Sequence, residues 1–332
     1  MTVPASWPDH SVTVRVPATS ANLGPGFDSL GLALGLHDTV RARVLASGLL
    51  VRVTGVGADD VERGEGHLVI RAMRAAFAAI GAQPPGISIS CGNEVPQGFG
   101  LGSSAAAIVS GVLAARALAG ASGAAALPDD AVLRLATELE GHPDNVAACL
   151  LGGLTISWAC DASFRDPWRA PGTRQPAASQ VQAARLRPLA DLVPVLCVPA
   201  VPLSTHAARK ALPEQVPHAD AAANSARAAL LVAALTSRPD LLLAGTQDFL
   251  HQSYRAAAMP ATAALIERLR DAGIAAVVSG AGPSVLALTV SGTQPGQAEV
   301  ARIAGQADPV WQVMPLGVDA DGAVVLAEPA TR

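Results

Sequence analysis

Pro96-Gln97-Gly98-Phe99-Gly100-Leu101-Gly102-Ser103-Ser104-Ala105-Ala106 stands between a strand-like run at 87–91 and a long alanine-rich helical stretch at 103–118. Gly98, Gly100 and Gly102 allow the backbone a tight path that can come close to a ligand. Ser103 and Ser104 fall in the first helical turn, where unpaired N–H groups and the positive dipole end favour an anion. The stretch therefore reads as a phosphate cradle without a cationic side chain. A Walker-type loop needs a lysine on the outer phosphates, and the single lysine of this chain is Lys210. A nucleotide bound here would have its phosphates neutralised by backbone amides, serine hydroxyls and Mg²⁺. The same letters also fit a plain Gly-Ser turn before a capped helix.

Working outward, the 332 residues suit two domains. Half are apolar and 15% charged, a globular composition in which Leu, Val, Ala and Ile must fill the core. A formal charge of −4 with no basic run argues against nucleic acid or an anionic membrane as partner. Cys91, Cys149, Cys160 and Cys197 have no metal or redox spacing and read as buried thiols of a reducing compartment. The first residues lack a basic stretch followed by an apolar core, so no signal peptide is expected and the cytoplasm is. The apolar stretch at 105–127 is interrupted by Arg116 and is mostly Ala, Gly and Ser, which predicts a buried helix and no membrane span.

Strand-like alternation marks 12–16, 39–45, 50–53 and 87–91, and helical periodicity marks 67–80, 103–118 and 130–139, with Asp129 as N-cap of the last. Pro143 and Asp144 start a short helix that Gly152 and Gly153 end before a strand at 154–158. The Pro-, Arg- and Gln-rich stretch 159–187 reads as the domain connection. That gives domains 1–165 and 166–332, with the boundary inside 159–190. The second half runs strand, helices, two strands joined through G-A-G-P, helix and strand, an order that suggests a ferredoxin-like domain.

Two further glycine segments accompany the first. P-A-T-S-A-N-L-G-P-G-F-D-S-L-G at 17–31 carries Asn22 and Asp28, and V-S-G-A-G-P-S-V at 278–285 lies between two strands. Together the three resemble, in order and wording, the GHMP kinases, and the resemblance covers nearly the whole chain. V-R-V-P-A-T-S-A-N-L-G-P-G-F-D at 14–28, E-G-H-P-D-N-V-A at 140–147 and L-S-T-H-A-A-R-K-A-L-P at 203–213 are most similar to the homoserine kinase branch. The resemblance implies an α+β, two-domain GHMP kinase fold: a ribosomal-protein-S5-like α/β domain, then a ferredoxin-like domain. It implies ATP and Mg²⁺ as cofactors, L-homoserine as substrate, threonine biosynthesis as setting and a homodimer as assembly.

Carried onto this sequence, the resemblance makes the segment from Pro96 to Ala106 the nucleotide site, with Ser104 and Glu138 as metal ligands. Glu140, two residues on, leaves that alignment ambiguous. Asn22 and Thr205 are the candidate catalytic residues. Asn22, Asp28, His142, Asp144, Thr205, Arg209 and Arg255 form the candidate substrate site. Their chemistry suits a zwitterion, since a guanidinium takes a carboxylate and a carboxylate takes an ammonium. No dedicated base is expected; the proton leaves to phosphate or solvent. Two alternatives stay open: another small-alcohol kinase of the fold, for threonine, mevalonate or shikimate, and a silent ligand-binding regulator.

Overall fold

Valines at alternate positions, Val12, Val14 and Val16, give β1 (Ser11–Ala21) one fully buried face, as period-two patterning requires. The computed structural model describes residues 7, 10–124, 127–160, 180–202 and 205–327. In it, β1 pairs antiparallel with β2 (Leu30–Leu45) across a bulge at Pro17/Ala18. The far half of β2 pairs with β4 (Gly86–Asn93), and β3 (Gly48–Gly55) lies parallel to β4. The near end of β2 pairs with β5 (Leu154–Cys160), which pairs with β6 (Gln180–Leu186). β2 begins well before residue 39, where alternation predicts it. Its first five residues are all buried, so no alternation announces them.

Four helices cover this sheet: α1 (Leu68–Ile80), α2 (Ser103–Ala121), α3 (Asp129–Glu140) and α4 (Pro143–Leu151). α2 is long and apolar enough to cross a bilayer by composition, but it lies inside the core with α1 and the valines of β1. Arg116 interrupts its apolar run and pairs with Asp129 at 2.5 Å. Asp129 is the first residue of α3, and Pro128 takes the cap position expected for it.

After β7 (Leu192–Val198) come α5 (Thr205–Lys210), α6 (His218–Thr236), α7 (Leu242–Gly245), α8 (Gln252–Arg255) and α9 (Pro260–Asp271). β8 (Ala275–Val278), β9 (Val285–Val290), α10 (Gln297–Gly305) and β10 (Gln312–Pro315) follow. The sheet order β10-β7-β9-β8, antiparallel throughout, is the ferredoxin-like arrangement. One face packs Val195, Cys197 and Ala287 against Leu265 and Leu269 of α9 and Ile303 of α10. The other carries Leu196, Val277 and Leu286 into a cluster with Leu32 and Leu34 of β2, Leu231 of α6, Leu23 and Leu101. Burying each such leucine contributes about 1.5–3 kcal/mol, so the two sheets share a core.

The last strand, β11 (Val324–Ala327), returns to the first sheet beside β1. A cut at 165/166 would therefore separate β6 and β11 from the sheet they complete. We place the crossover between sheets at 187–191.

Candidate active site

All three glycine segments meet at the rim of the shared core. At the end of β1 the chain enters left-handed backbone at Asn22 and Leu23, and again at Asp28. Such conformations are uncommon outside glycine, and Asn and Asp tolerate them best. The Asn22 side chain holds the turn together: its Oδ1 accepts from the Asp28 amide at 2.9 Å, and its Nδ2 donates to the Gly280 carbonyl at 2.8 Å. The Gly280 amide in turn donates to the Ala21 carbonyl. Ser279 Oγ donates to the Gly100 carbonyl at 2.7 Å and lies 2.9 Å from Ser20 Oγ.

Gly102 sits at φ 68° immediately before α2. A Cβ there would collide with Thr19 Oγ1, which donates to Asn145 Oδ1 at 2.7 Å. The tight path thus keeps the loop against β1 and α4, and it leaves the first-turn amides of α2 without carbonyls behind them.

Two cavities open on this helix end, with about 580 and 930 Å³ of open space, and both are lined by Gly98, Ser103 and Ser104. The first is polar. Asp28, Asn22, His142, Asp144, Arg209 and Arg255 all line it, with Gly100, Leu101 and Gly102. Asp28 and Arg209 pair through two contacts of 2.8 and 3.3 Å. Arg255 is buried to 1% exposure, yet no carboxylate among the described residues ion-pairs with it. It donates to the Ala208 carbonyl and lies against His251, and its guanidinium faces the Phe27 ring at 5.5 Å. Burial first, then the Arg209 charge, pushes Arg255 down, while Asp28, Asp248 and Asp144 pull the other way. A guanidinium starts so high that it stays charged.

At the opposite wall Ser104 Oγ donates to Glu140 Oε2 at 2.6 Å. Burial raises the Glu140 carboxyl, the Ser104 hydrogen bond and His142 lower it, and the charge of Asp144 adds to the rise. His142 Nδ1 lies 2.7 Å from Asp144 Oδ1, which also accepts from the Asn145 amide. Burial opposes the His142 imidazolium, but that hydrogen bond and the charges of Asp144 and Glu140 outweigh it and raise its pKa.

Several expected residues are elsewhere. Glu138 is exposed on α3 and lines neither cavity; the acid facing Ser104 is Glu140. Two residues on a helix point about 200° apart, so only one of the two can face the cleft. Pro96, Phe99, Ala105 and Ala106 line neither cavity: Phe99 packs on the shared core, and the two alanines are buried under the helix start. Thr205 opens α5, but its side chain lies outside the described residues.

The second cavity is lined by Val61, Glu62, His67, Leu68 and Val69, with Val40, Asp38, Cys91 and Gln97. His67 is buried with Nδ1 unpartnered, and burial lowers its pKa. Sequence reasoning missed His251 and Phe27. The signal for the first was present: His251 precedes Arg255 by four residues, one helical turn.

The description "GHMP kinases N terminal domain" matches residues 67–153, and "GHMP kinases C terminal" matches 226–307. The chain is 53% identical to a homoserine kinase of Streptomyces coelicolor, over 95% of this chain and 94% of that one. A homoserine kinase of Rhodococcus erythropolis is 49% identical over 89% and 90%. Among solved structures, homoserine kinase from Cytophaga hutchinsonii aligns with TM-score 0.78 at 28% identity, covering 98% of this chain and all of that one. Phosphomevalonate kinase of Streptococcus pneumoniae, at 14% identity and TM-score 0.64 over 93% and 99% of the two chains, shares the fold.

Proposed function

The chain belongs to the GHMP kinases, in the homoserine kinase branch, and from that premise we infer that its cleft transfers the γ-phosphoryl group of ATP to the side-chain hydroxyl of L-homoserine. The observation that carries the substrate assignment is the charge pattern of the polar cavity. A buried guanidinium that ion-pairs with no carboxylate among the described residues, Arg255, stands beside the Asp28–Arg209 pair. An α-amino acid supplies the missing anion and offers Asp28 an ammonium. Mevalonate and shikimate carry no ammonium, so with them Asp28 gains nothing.

In this reading the nucleoside lies in the second cavity and the phosphates run over the first turn of α2. There the Ser103 and Ser104 amides and the helix dipole meet them. Homoserine lies in the polar cavity, its carboxylate on Arg209 and Arg255. The Asn22 carboxamide is held on both sides, which leaves one Nδ2 hydrogen to direct the substrate hydroxyl. Thr205 is proposed as its partner from α5. Asp144 is engaged by His142 and Asn145 and serves better as a positioning acid than as a base. His142, held toward its cationic form, suits the charge of the moving phosphoryl group. The proton leaves to phosphate or solvent, and alignment of the two substrates provides much of the acceleration.

Ser104 and Glu140 fit Mg²⁺. Both offer oxygen, and the partly buried Glu140 carboxyl already accepts from the Ser104 hydroxyl, which places the two oxygens side by side. When bound, the ion would neutralise the terminal phosphates. We further propose a cytoplasmic homodimer acting in threonine biosynthesis; sedimentation of the purified protein tests the dimer.

A coupled assay of ADP release tests the assignment across homoserine, threonine, 3-aminopropanol, 4-hydroxybutyrate, mevalonate and shikimate. Homoserine should lead in kcat/KM. Equal turnover of homoserine and 3-aminopropanol would mean the arginines read no carboxylate. ATP binding without turnover of any acceptor would favour the regulator.

A further inference from the structure

We propose that His251 is a positioning residue for substrate binding: a neutral imidazole whose Nδ1 holds the Arg255 guanidinium toward the cleft. The inference rests on the amino-acid reading of the polar cavity and adds a residue that lines neither the substrate nor the nucleotide cavity.

The ring is fully buried and engaged at both nitrogens. Nε2 lies 2.8 Å from the Gly24 carbonyl, and Nδ1 lies 3.1 Å from Arg255 Nη1. A carbonyl can only accept and a guanidinium can only donate. Those two partners leave one assignment: Nε2 carries the proton, and Nδ1 keeps its lone pair for Arg255. Phe27 packs on the ring at 5.2 Å between centroids and fixes its plane. Arg255 Nε is already committed to the Ala208 carbonyl, so the histidine contact at 3.1 Å, with the longer 3.4 Å bond from the same Nη1 to the Gly280 carbonyl, fixes a second edge of the fork. The remaining N–H groups are the ones left for a carboxylate.

Protonation would destroy this arrangement. An imidazolium would aim Nδ1–H at a guanidinium, replacing a hydrogen bond with two cations in contact. The charges around the ring are mixed. Asp248 lies 3.7 Å from Nε2 and Asp28 is nearby, both favouring the cation, while Arg255 opposes it, and Arg209 lies beyond Phe27. Asp248 is largely committed to the amides of Leu250, His251 and Gln252 at the start of α8. Burial outweighs the acids and keeps the ring below its ordinary pKa. At neutral pH the lone pair is therefore present, and it is lost only in acid, below the ordinary histidine range.

The test is steady-state kinetics on the whole enzyme from about pH 5.5 to 8, with homoserine and ATP varied separately and Tm recorded for each variant. His251→Gln keeps a donor for Gly24 but removes the acceptor at the δ position. It should raise homoserine KM roughly tenfold or more and change kcat and ATP KM little. His251→Asn restores an acceptor at that position and should rescue most of the homoserine KM. On acidification the wild-type homoserine KM should rise while ATP KM stays level, and the part of that rise due to the lost lone pair should be absent in His251→Asn. Equal losses in the two variants, or losses shared with ATP KM, would assign His251 to packing alone. If neither variant folds, nitrogen NMR of the histidine-labelled wild type decides: a protonated Nδ1 on His251 at neutral pH overturns the proposal, and a protonated Nε2 with a bare Nδ1 supports it. Failure of the wild type to turn over homoserine at all would instead overturn the underlying reading, and the proposal with it.

Discussion

Single residues decide how charge is placed in this cleft. Gly102 meets two demands at once, a positive φ and the absence of a Cβ facing Thr19. Gly102→Val should therefore lower Tm as well as abolish ATP binding, which calorimetric titration and thermal unfolding would record together. Ser104 and Glu140 form the other wall. Ser104→Ala and Glu140→Ala should each raise the Mg²⁺ requirement and depress kcat more than homoserine KM, whereas Glu138→Ala should resemble the wild type. The reverse order for the two glutamates would return the metal role to Glu138. On the substrate side, Arg209→Leu should cost homoserine roughly ten- to a hundredfold in kcat/KM. It should leave ATP binding nearly unchanged and narrow the preference over 3-aminopropanol.

At the scale of elements, α2 performs two tasks that constrain its sequence oppositely. Its start must present bare amides to an anion, and its middle must lie against α1 with almost no room. A Cβ on Gly111 would stand 2.5 Å from the Val69 carbonyl and 2.7 Å from Ala72 Cβ. Gly111→Ala should force the helices apart and destabilise the protein by ~1–3 kcal/mol, seen as a lower denaturation midpoint. Because Gly111 is two turns from the cleft, kcat at low temperature should change far less than stability. α8 is short and held at its start by Asp248, which is how four residues can carry a buried arginine.

For the whole molecule, the shared core between the two sheets makes the cleft a seam of one body. β11 extends that logic, since it closes the first sheet beside β1 at Val12–Arg15. Ending the chain at Gly322 should expose the edge of β1 and lower Tm even though no cleft residue is removed. The cysteines report on the two cores that flank the shared one, Cys91 and Cys149 under the first sheet and Cys197 behind the second. Burial pushes Cys91 and Cys197 up to about 12 and Cys149 well above its ordinary value. With the Cys160 side chain outside the described residues, at most one thiol should react quickly with an aromatic disulfide near pH 8 in the native protein. All four should react in denaturant.

What the sequence determined by itself was local or patterned: the glycine path into α2, the first half of the sheet and the ferredoxin-like order, while the polar residues of the cleft were named through the family resemblance. Each is written in neighbouring letters, because turns, caps and periodicities are short-range. Tertiary structure decided the rest. Glu140, not Glu138, faces Ser104 because helix phase turns one of two nearby acids toward the cleft, and phase depends on how α3 packs. The early part of β2 was hidden because burial on both faces erases alternation. The place of β11 depended on a pairing more than 300 residues apart in the chain. Arg255 acquired its meaning only in three dimensions: its own letters cannot tell whether a carboxylate pairs with it, and the fold buries it with no ion pair among the described residues.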